Sequence, residues 1–334
     1  MRGEDLSAAE ASAALSEILT GSASPAQIAA FATALHVKGE TVEEMTGLVR
    51  TMLSHAEPVP VPPHLDVVDT CGTGGDRSRS INVSTIAAFV VAGAGARVCK
   101  HGNRAVSSSA GSADVLEALG VVVELGPDGV LACIEESGMG FCFAPRFHPA
   151  LRHAGPTRRE LGVATVFNFL GPLANPARPR RQLVGVSDPT MASKMLGVLE
   201  ANGAVRALVA YGHDGLDELT TTTTSTLLSS TDGTVVVDPQ ELGLEPAPPD
   251  ALVGGDAADN AALARRVLDG EKGPHRDVVL LNAAAAAMAA GLVDDLADGL
   301  VAAERSIDGG AAAGVLDRLV RASREAVPST ADGP

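Results

Sequence analysis

Before residue 60, apolar residues recur every three or four places: Leu15, Ile18 and Leu19; Ile28, Phe31, Ala32 and Leu35; Met45, Leu48, Val49 and Met52. That period puts each set on one side of a helix. Each set also carries a start signal. Ser7 with Glu10, Ser24 with Pro25 and Gln27, and Thr41 with Glu44 pair an N-cap hydroxyl with an acidic or amide side chain three places on. The pattern predicts a small helical N-terminal domain over 1–64. Its end is marked by Glu57-Pro-Val-Pro-Val-Pro-Pro63, where repeated proline forbids helix and makes a stiff extended linker.

After the linker the pattern changes. Short apolar runs alternate with helical stretches, which predicts an α/β domain over 65–334, a sheet flanked by helices. Strands are expected at 65–70, 97–100, 121–124, 140–143, 182–186, 205–211 and 234–237. Helices are expected at 83–94, 111–119, 127–137, 189–202, 257–269, 277–290 and 311–325, several closed by glycine. The run Thr220 to Thr224 reads as an exposed, β-prone strand edge or loop.

Composition narrows this picture. Hydrophobic residues make up 46% of the chain but aromatics only 2%, so the core must be built of small aliphatic side chains, as when helices cover a sheet. Asp and Glu number 41 against 25 Lys and Arg, a net charge of −16. An acidic surface disfavours nucleic acid and anionic membranes as partners, so any bound phosphate must be met by local groups. Cys71, Cys99, Cys133 and Cys142 show no C-x-x-C pairing and are expected to be reduced core thiols rather than metal ligands. The polar N-terminus starts a helix rather than a signal peptide, and no apolar run spans a bilayer, so a cytoplasmic location is expected.

Candidate chemistry sits in two loops. Asp69-Thr-Cys-Gly-Thr-Gly-Gly-Asp76 leaves a predicted strand and leads to Asn82-Val-Ser-Thr85 at the start of an apolar helix. Glycines let a backbone approach phosphate oxygens, and a helix N-terminus adds unpaired N–H groups and a positive dipole end. No Gly-Lys-Ser/Thr follows, so this is not a Walker A loop. Arg77 occupies the third glycine position of the dinucleotide fingerprint, which excludes that motif too. Taken alone, such a turn is as often a tight connection as a ligand site. Lys100-His-Gly-Asn-Arg104 follows the next strand, and Ser107-Ser-Ser-Ala-Gly-Ser112 leads into another helix. Cationic, amide and hydroxyl groups thus converge at strand C-terminal ends, where open α/β sheets hold ligands. Arg158, in Gly155-Pro-Thr-Arg-Arg159, could equally belong to an ordinary loop, and Asp217-Glu218 to a solvated turn.

The segments Cys71-Gly-Thr-Gly-Gly-Asp76, Asn82-Val-Ser-Thr85, Lys100-His-Gly-Asn-Arg104, Arg158-Arg-Glu-Leu-Gly162, Asn168-Phe-Leu-Gly-Pro-Leu-Ala-Asn175 and Gly215-Leu-Asp-Glu-Leu219 together resemble the ordered motif set of anthranilate phosphoribosyltransferases. The resemblance runs over nearly the whole chain. It implies a central mixed, mostly parallel sheet, as in nucleoside phosphorylases and related phosphoribosyltransferases. It also implies transfer of a phosphoribosyl group from 5-phosphoribosyl 1-diphosphate to anthranilate, in tryptophan biosynthesis. By the same resemblance, Gly72, Gly75, Asp76, Ser80, Asn82, Val83, Ser84 and Thr85 hold the sugar diphosphate. Lys100, Asn103, Ser107, Ser108 and Ser112 complete that site. Anthranilate would meet Gly72, His101, Asn103 and Arg158, with Arg158, Asn103 and His101 as the catalytic set. Ser84, Asp217 and Glu218 would bind Mg2+, two ions per site, hard cations suited to oxygen donors.

The resemblance further implies a homodimer through the N-terminal helices, with helices near 189–202 returning to pack on that unit. Arg77 stands where the family commonly has glycine, Ser80 where it has threonine and Ile81 where it has phenylalanine. Leu151, near the expected anthranilate entrance, is given no role. Two other readings stay open: a pyrimidine-nucleoside phosphorylase, which would use phosphate as nucleophile, and a noncatalytic nucleic-acid-binding relative, which would need a basic groove.

Overall fold

The computed structural model describes residues 3–75, 78–105 and 109–327. It opens with the helices that the capping signals predict: α1 (Ala8–Leu19), α2 (Pro25–Lys38) and α3 (Val42–Ser54). Each starts in a reciprocal capping box. The Ser7, Ser24 and Thr41 hydroxyls accept from the N–H three places on, and Glu10, Gln27 and Glu44 accept from the cap's own N–H. Glu44 is fully buried. It also accepts from Leu6 N–H at 2.9 Å and pairs with Lys38 at 3.0 Å, so its charge is matched where water cannot reach it. Helices α1 and α3 approach so closely that a Cβ on Gly47 would lie 2.2 Å from Ala8 O. The proline segment is extended but not free: Glu57 N–H donates to Phe147 O at 2.9 Å and Val59 N–H to Pro176 O at 3.3 Å.

Next come β1 (Val68–Gly72), α4 (Val83–Gly93), β2 (Val98–Gly102), α5 (Ser112–Leu119), α6 (Pro127–Ser137) and β3 (Met139–Phe143). Helices α7 (Ala144–Phe147), α8 (Gly155–Leu161) and α9 (Val166–Leu173) follow, in a stretch where none was expected; α7 and α8 are too short to show a period, and α9 contains Gly171-Pro172, which reads as a break. The chain continues through β4 (Arg181–Gly185), α10 (Pro189–Ala201), β5 (Arg206–Gly212), β6 (Ser225–Ser229) and β7 (Gly233–Val237). It closes with α11 (Ala257–Leu268), α12 (Pro274–Ala290), α13 (Leu296–Asp308) and α14 (Ala311–Glu325).

The strands form one seven-stranded sheet in the order β3-β2-β1-β4-β5-β6-β7, with β1 to β5 parallel and β6 and β7 antiparallel. The sheet is thus mixed and mostly parallel. Alternation along β5 assigns its two faces. Leu208 and Ala210 enter the core under α4, α5, α6 and α11 to α14, while Ala207 and Val209 enter the core under α1, α2, α3, α9 and α10. Helix α10 touches both α3 and β5, and so connects the N-terminal helices to the sheet. The four cysteines are buried and unpaired, with the Cys99 and Cys142 sulfurs 3.6 Å apart. No helix among the described residues is long and apolar enough to cross a membrane.

Three expectations need correction. Residues 121–124 are not a strand. Val121 and Val123 are buried, but Val121 N–H bonds back to Leu116 O at 3.0 Å and Val122 N–H to the Ser323 hydroxyl at 3.0 Å, so the segment packs as a loop against α14. The threonine run is not uniformly exposed, because Thr220 and Thr221 are fully buried. Strand β6 and helix α13 arise where the pattern predicts no element, the first because its polar ends hide a short strand.

Gly47 offers the sharpest test of the N-terminal packing. Gly47→Ala is expected to destabilise the protein by about 1–3 kcal/mol through overpacking against the Ala8 backbone. Urea denaturation measures it, and an unchanged midpoint would show that α1 yields without cost.

Candidate active site

The strand order reverses between β1 and β4, and a cleft of about 350 Å³ opens there at the C-terminal ends of the parallel strands. Its geometry depends on glycines. The loop 214–218 crosses the ends of β1 and β4 so closely that a Cβ on Gly185 would lie 1.6 Å from Asp217 O, and one on Gly72 would lie 2.5 Å from Asp217 Oδ2. Asp217 and Glu218 are therefore pressed down onto the first phosphate-competent loop, with 8% and 6% exposure. Gly74 N–H donates to Asp217 Oδ2 at 2.6 Å, and Ser84 N–H, in the first turn of α4, donates to Glu218 Oε1 at 3.2 Å.

The threonine run holds this acidic loop. Thr220 and Thr222 hydroxyls both donate to the Asp214 carboxylate. One step on, Asn282 of α12 accepts from Leu219 N–H at 3.0 Å and donates to Leu219 O at 2.8 Å. Asp-Glu is accordingly no solvated turn here.

Lys100, in the middle of β2, is 1% exposed; its ammonium donates to Thr70 O and, at 3.2 Å, to Ser84 Oγ. It lies directly beneath the N-terminus of α4. The neighbouring buried polar groups are also partnered. Asp69 accepts from His101 N–H at 3.1 Å and from Asn175 Nδ2 at 2.9 Å, and Asn175 Nδ2 donates to Cys99 O at 2.7 Å. Burial pushes the Asp69 carboxyl up from its ordinary value, against the pull of Lys100.

The rings of His101 and His148 pack with centroids 5.1 Å apart, tilted by 53°. His101 Nδ1 faces Gly171 O at 3.0 Å, which requires the proton on Nδ1 and leaves Nε2 as an acceptor; Nε2 is buried without a partner among the described residues. Burial lowers His101 to about 3 and His148 to about 4. Both rings are neutral at physiological pH.

Of the expected residues, Gly72, Gly75, Ser80, Asn82, Val83 and Ser84 line the cleft from the β1 side. Lys100, His101, Asn103 and Ser112 line it from β2 and α5, and Arg158, Asp217 and Glu218 complete it. Thr85 is fully buried and outside the lining, its Oγ1 without a partner among the described residues. Asp76, Ser107 and Ser108, and with them Arg77, lie outside the described residues. Asn82 acts as a strut: its side chain donates to Ala110 O at 3.0 Å and accepts from Asn260 Nδ2 at 3.0 Å, tying the two loops to α11.

Arg104 departs from the expected convergence of cations. It pairs with Asp114, Glu117 and Glu124 and lies over the Phe143 ring, so its charge is matched by α5 and the segment after it rather than offered to the cleft.

Arg158, a loop candidate from sequence, stands on α8. It is half-buried, forms no ion pair among the described residues, and its guanidinium lies 5.4 Å from the centre of the Phe167 ring. Burial lowers its pKa. Leu151, given no role from sequence, also lines the cleft, as do Phe167, Leu170 and Arg79. Periodicity could not find these, because their segments are short and meet only in the fold.

The paired histidines make a pH prediction. Their folded-state pKa values are depressed from 6.5, so the neutral rings contribute stability that is present above pH 6.5 and is lost as pH falls towards about 4 and 3. Asp69, raised by burial, acts in the opposite sense. NMR of each imidazole separates them: both rings are expected to stay neutral at about pH 5.5, and a ring titrating at its ordinary value would refute its burial.

Comparison with known proteins finds relatives over nearly the whole chain. A model described as "Glycosyl transferase family, helical bundle domain" matches residues 1–56, and one described as "Glycosyl transferase family, a/b domain" matches residues 64–313. The anthranilate phosphoribosyltransferase of Rhodococcus jostii strain RHA1 is 57% identical over 325 residues, 95% of this chain and 89% of that protein. The crystal structure of anthranilate phosphoribosyltransferase from Thermus thermophilus superposes with a TM-score of 0.93 at 44% identity, covering 96% of this chain and 97% of that one. The Saccharomyces cerevisiae enzyme in complex with PRPP and Mg gives a TM-score of 0.88 at 28% identity, covering 96% and 94%.

Proposed function

Since this chain belongs to the anthranilate phosphoribosyltransferase family, we propose that it joins the amine of anthranilate to the ribose carbon of 5-phosphoribosyl 1-diphosphate, releasing diphosphate, in tryptophan biosynthesis. The observation that carries this reading is Arg158. A half-buried guanidinium with no ion pair among the described residues, resting near an aromatic face across the cleft from the glycine turn, suits a flat ring bearing a carboxylate. Neither rival reading accounts for it: a phosphorylase has no need of a second anion site there, and a nucleic-acid groove would not be floored by Asp217 and Glu218.

Magnesium fits the residues present. Ser84 N–H bonds to Glu218, and Asp217 adjoins it, so the side chains brought together are all oxygen donors. No group of three or more His, Cys, Asp or Glu among the described residues forms a metal cage. The protein would therefore supply Ser84, Asp217 and Glu218, and phosphate oxygens and water the remainder, for two Mg2+ ions. When bound, the ions would offset charge on the departing diphosphate.

The chain's own groups do the rest. The glycine turn, whose bare backbone leaves room for phosphate, and the hydroxyls of Ser80 and Ser84, with Lys100 beneath, receive the leaving group. Gly75, Ser80, Val83 and Ser112 line the wall on that side, and Asp76, Thr85, Ser107 and Ser108 belong to the same proposed set. Arg158 and Asn103 hold anthranilate with its amine towards the anomeric carbon. An aromatic amine is already neutral near pH 7, so positioning, rather than a strong base, limits attack. His101, being neutral, places no positive charge beside the sugar cation that develops.

The same reading extends to a cytoplasmic homodimer formed through the N-terminal helices, and to a division between helical and α/β domains at residues 64 and 65. Loss of anthranilate fluorescence on mixing with phosphoribosyl diphosphate and magnesium tests the activity, and no loss with folded protein would exclude it. Arg158→Ala is expected to raise the KM for anthranilate roughly tenfold to a hundredfold, the value of a charge-assisted contact, with little change for phosphoribosyl diphosphate. Glu218→Gln should shift the magnesium dependence to higher concentration; an unchanged profile would remove that residue from the metal site.

A further inference from the structure

Among the described residues, Asp66, Arg79 and Arg178 have positive φ without being glycine, and of these Arg79, at φ 54°, lines the cleft. The left-handed region disfavours side chains, and such conformations persist where surrounding structure imposes them. Here the cause is visible. Arg79 O accepts from Gly254 N–H at 2.8 Å, Ser80 bridges to Val253, and Ile81 N–H donates to Leu252 O at 3.0 Å. Asn260 holds the same segment: its Oδ1 accepts from Gly255 N–H at 2.8 Å and would lie 2.3 Å from a Cβ on Gly254, and its amide donates to Asn82 Oδ1. The segment after β7 thus pins the turn from which Arg79 enters the cleft.

The other cations of the cleft make this residue distinctive. Lys100 is engaged by Thr70 O and Ser84 Oγ, and Arg104 is matched by three carboxylates. Arg158 stands on α8. Arg79 is exposed and makes no ion pair or side-chain hydrogen bond with any described residue. It lines the same cleft as Gly74, Gly75, Asp217 and Glu218 in a protein of net charge −16. A dianionic or more highly charged ligand arriving there needs a cation, and a guanidinium fork matches phosphoryl oxygens.

We propose that Arg79 is a further binding residue for the diphosphate end of phosphoribosyl diphosphate. This rests on the function proposed above. The pinned turn keeps Arg79 on the cleft lining that it shares with the glycine turn, where the bare backbone leaves room for the phosphoryl groups.

Titration calorimetry with inorganic diphosphate and magnesium, on the full chain, tests it. Asn and Gly both accept the left-handed backbone, so Arg79→Asn and Arg79→Gly remove the charge and keep the turn. Both are expected to lose diphosphate affinity by about tenfold or more, and Arg79→Lys to lose less. The KM for phosphoribosyl diphosphate should rise with that for anthranilate unchanged. Binding by Arg79→Asn within about twofold of the parent would overturn the proposal, and so would an equal loss for both substrates, which marks a displaced turn. If the parent protein binds diphosphate but transfers nothing to anthranilate, the functional reading fails while the assignment of Arg79 stands.

Discussion

The close approach of the 214–218 loop to the ends of β1 and β4 sets the acidic floor of the cleft, against which the glycine turn and the start of α4 rest. Asp217 O occupies the space that a side chain on residue 185 would fill, and its carboxylate the space above residue 72. With glycine at both positions the acidic pair descends onto the first loop and takes the N–H groups of Gly74 and Ser84. A buried carboxylate is tolerated only when hydrogen-bonded, so the same contact that places the acids also offsets the cost of burying them. Thr220, Thr222 and Asn282 then hold the loop from behind.

A second layer lies below the floor. Asp69, Asn175, Lys100 and the His101 backbone bond to one another or to strand carbonyls. Rigid, satisfied groups of this kind fix rotamers above them. By contrast, cations in the cleft differ in how far the protein has already matched them. Arg104 is held by α5 carboxylates, whereas Arg158 and Arg79 have no such partner among the described residues. This contrast points to anion binding on two sides of one cleft, in keeping with two anionic substrates.

Much of the fold was legible in local pattern. The three N-terminal capping boxes form with the residues expected, because a cap is a contact between residues three places apart. The long helices and most parallel strands also follow, since burial on one or two faces writes a period into the sequence. Short elements escaped. α7 and α8 span too few residues to display a period, Gly171-Pro172 obscures α9, and the valines at 121–123 look like a buried strand although their hydrogen bonds go to Leu116 and Ser323. Hydrophobic pattern reports burial, not the partner of the backbone.

The sequence by itself determined the helix starts, the proline break, the glycine-rich turn at a strand end and, through motif order, the family. These depend on neighbours along the chain or on residue identity alone. Only the tertiary structure decided that Gly185 must be bare for Asp217 to pass, and that Asn82 ties two loops together. It likewise decided that Arg104 is neutralised while Arg158 is not, and that Arg79 enters the cleft from a turn pinned by residues 252–254. Each of those outcomes is a contact between segments distant in sequence, and the free energy of such a contact depends on distance, burial and competing partners that no local pattern encodes.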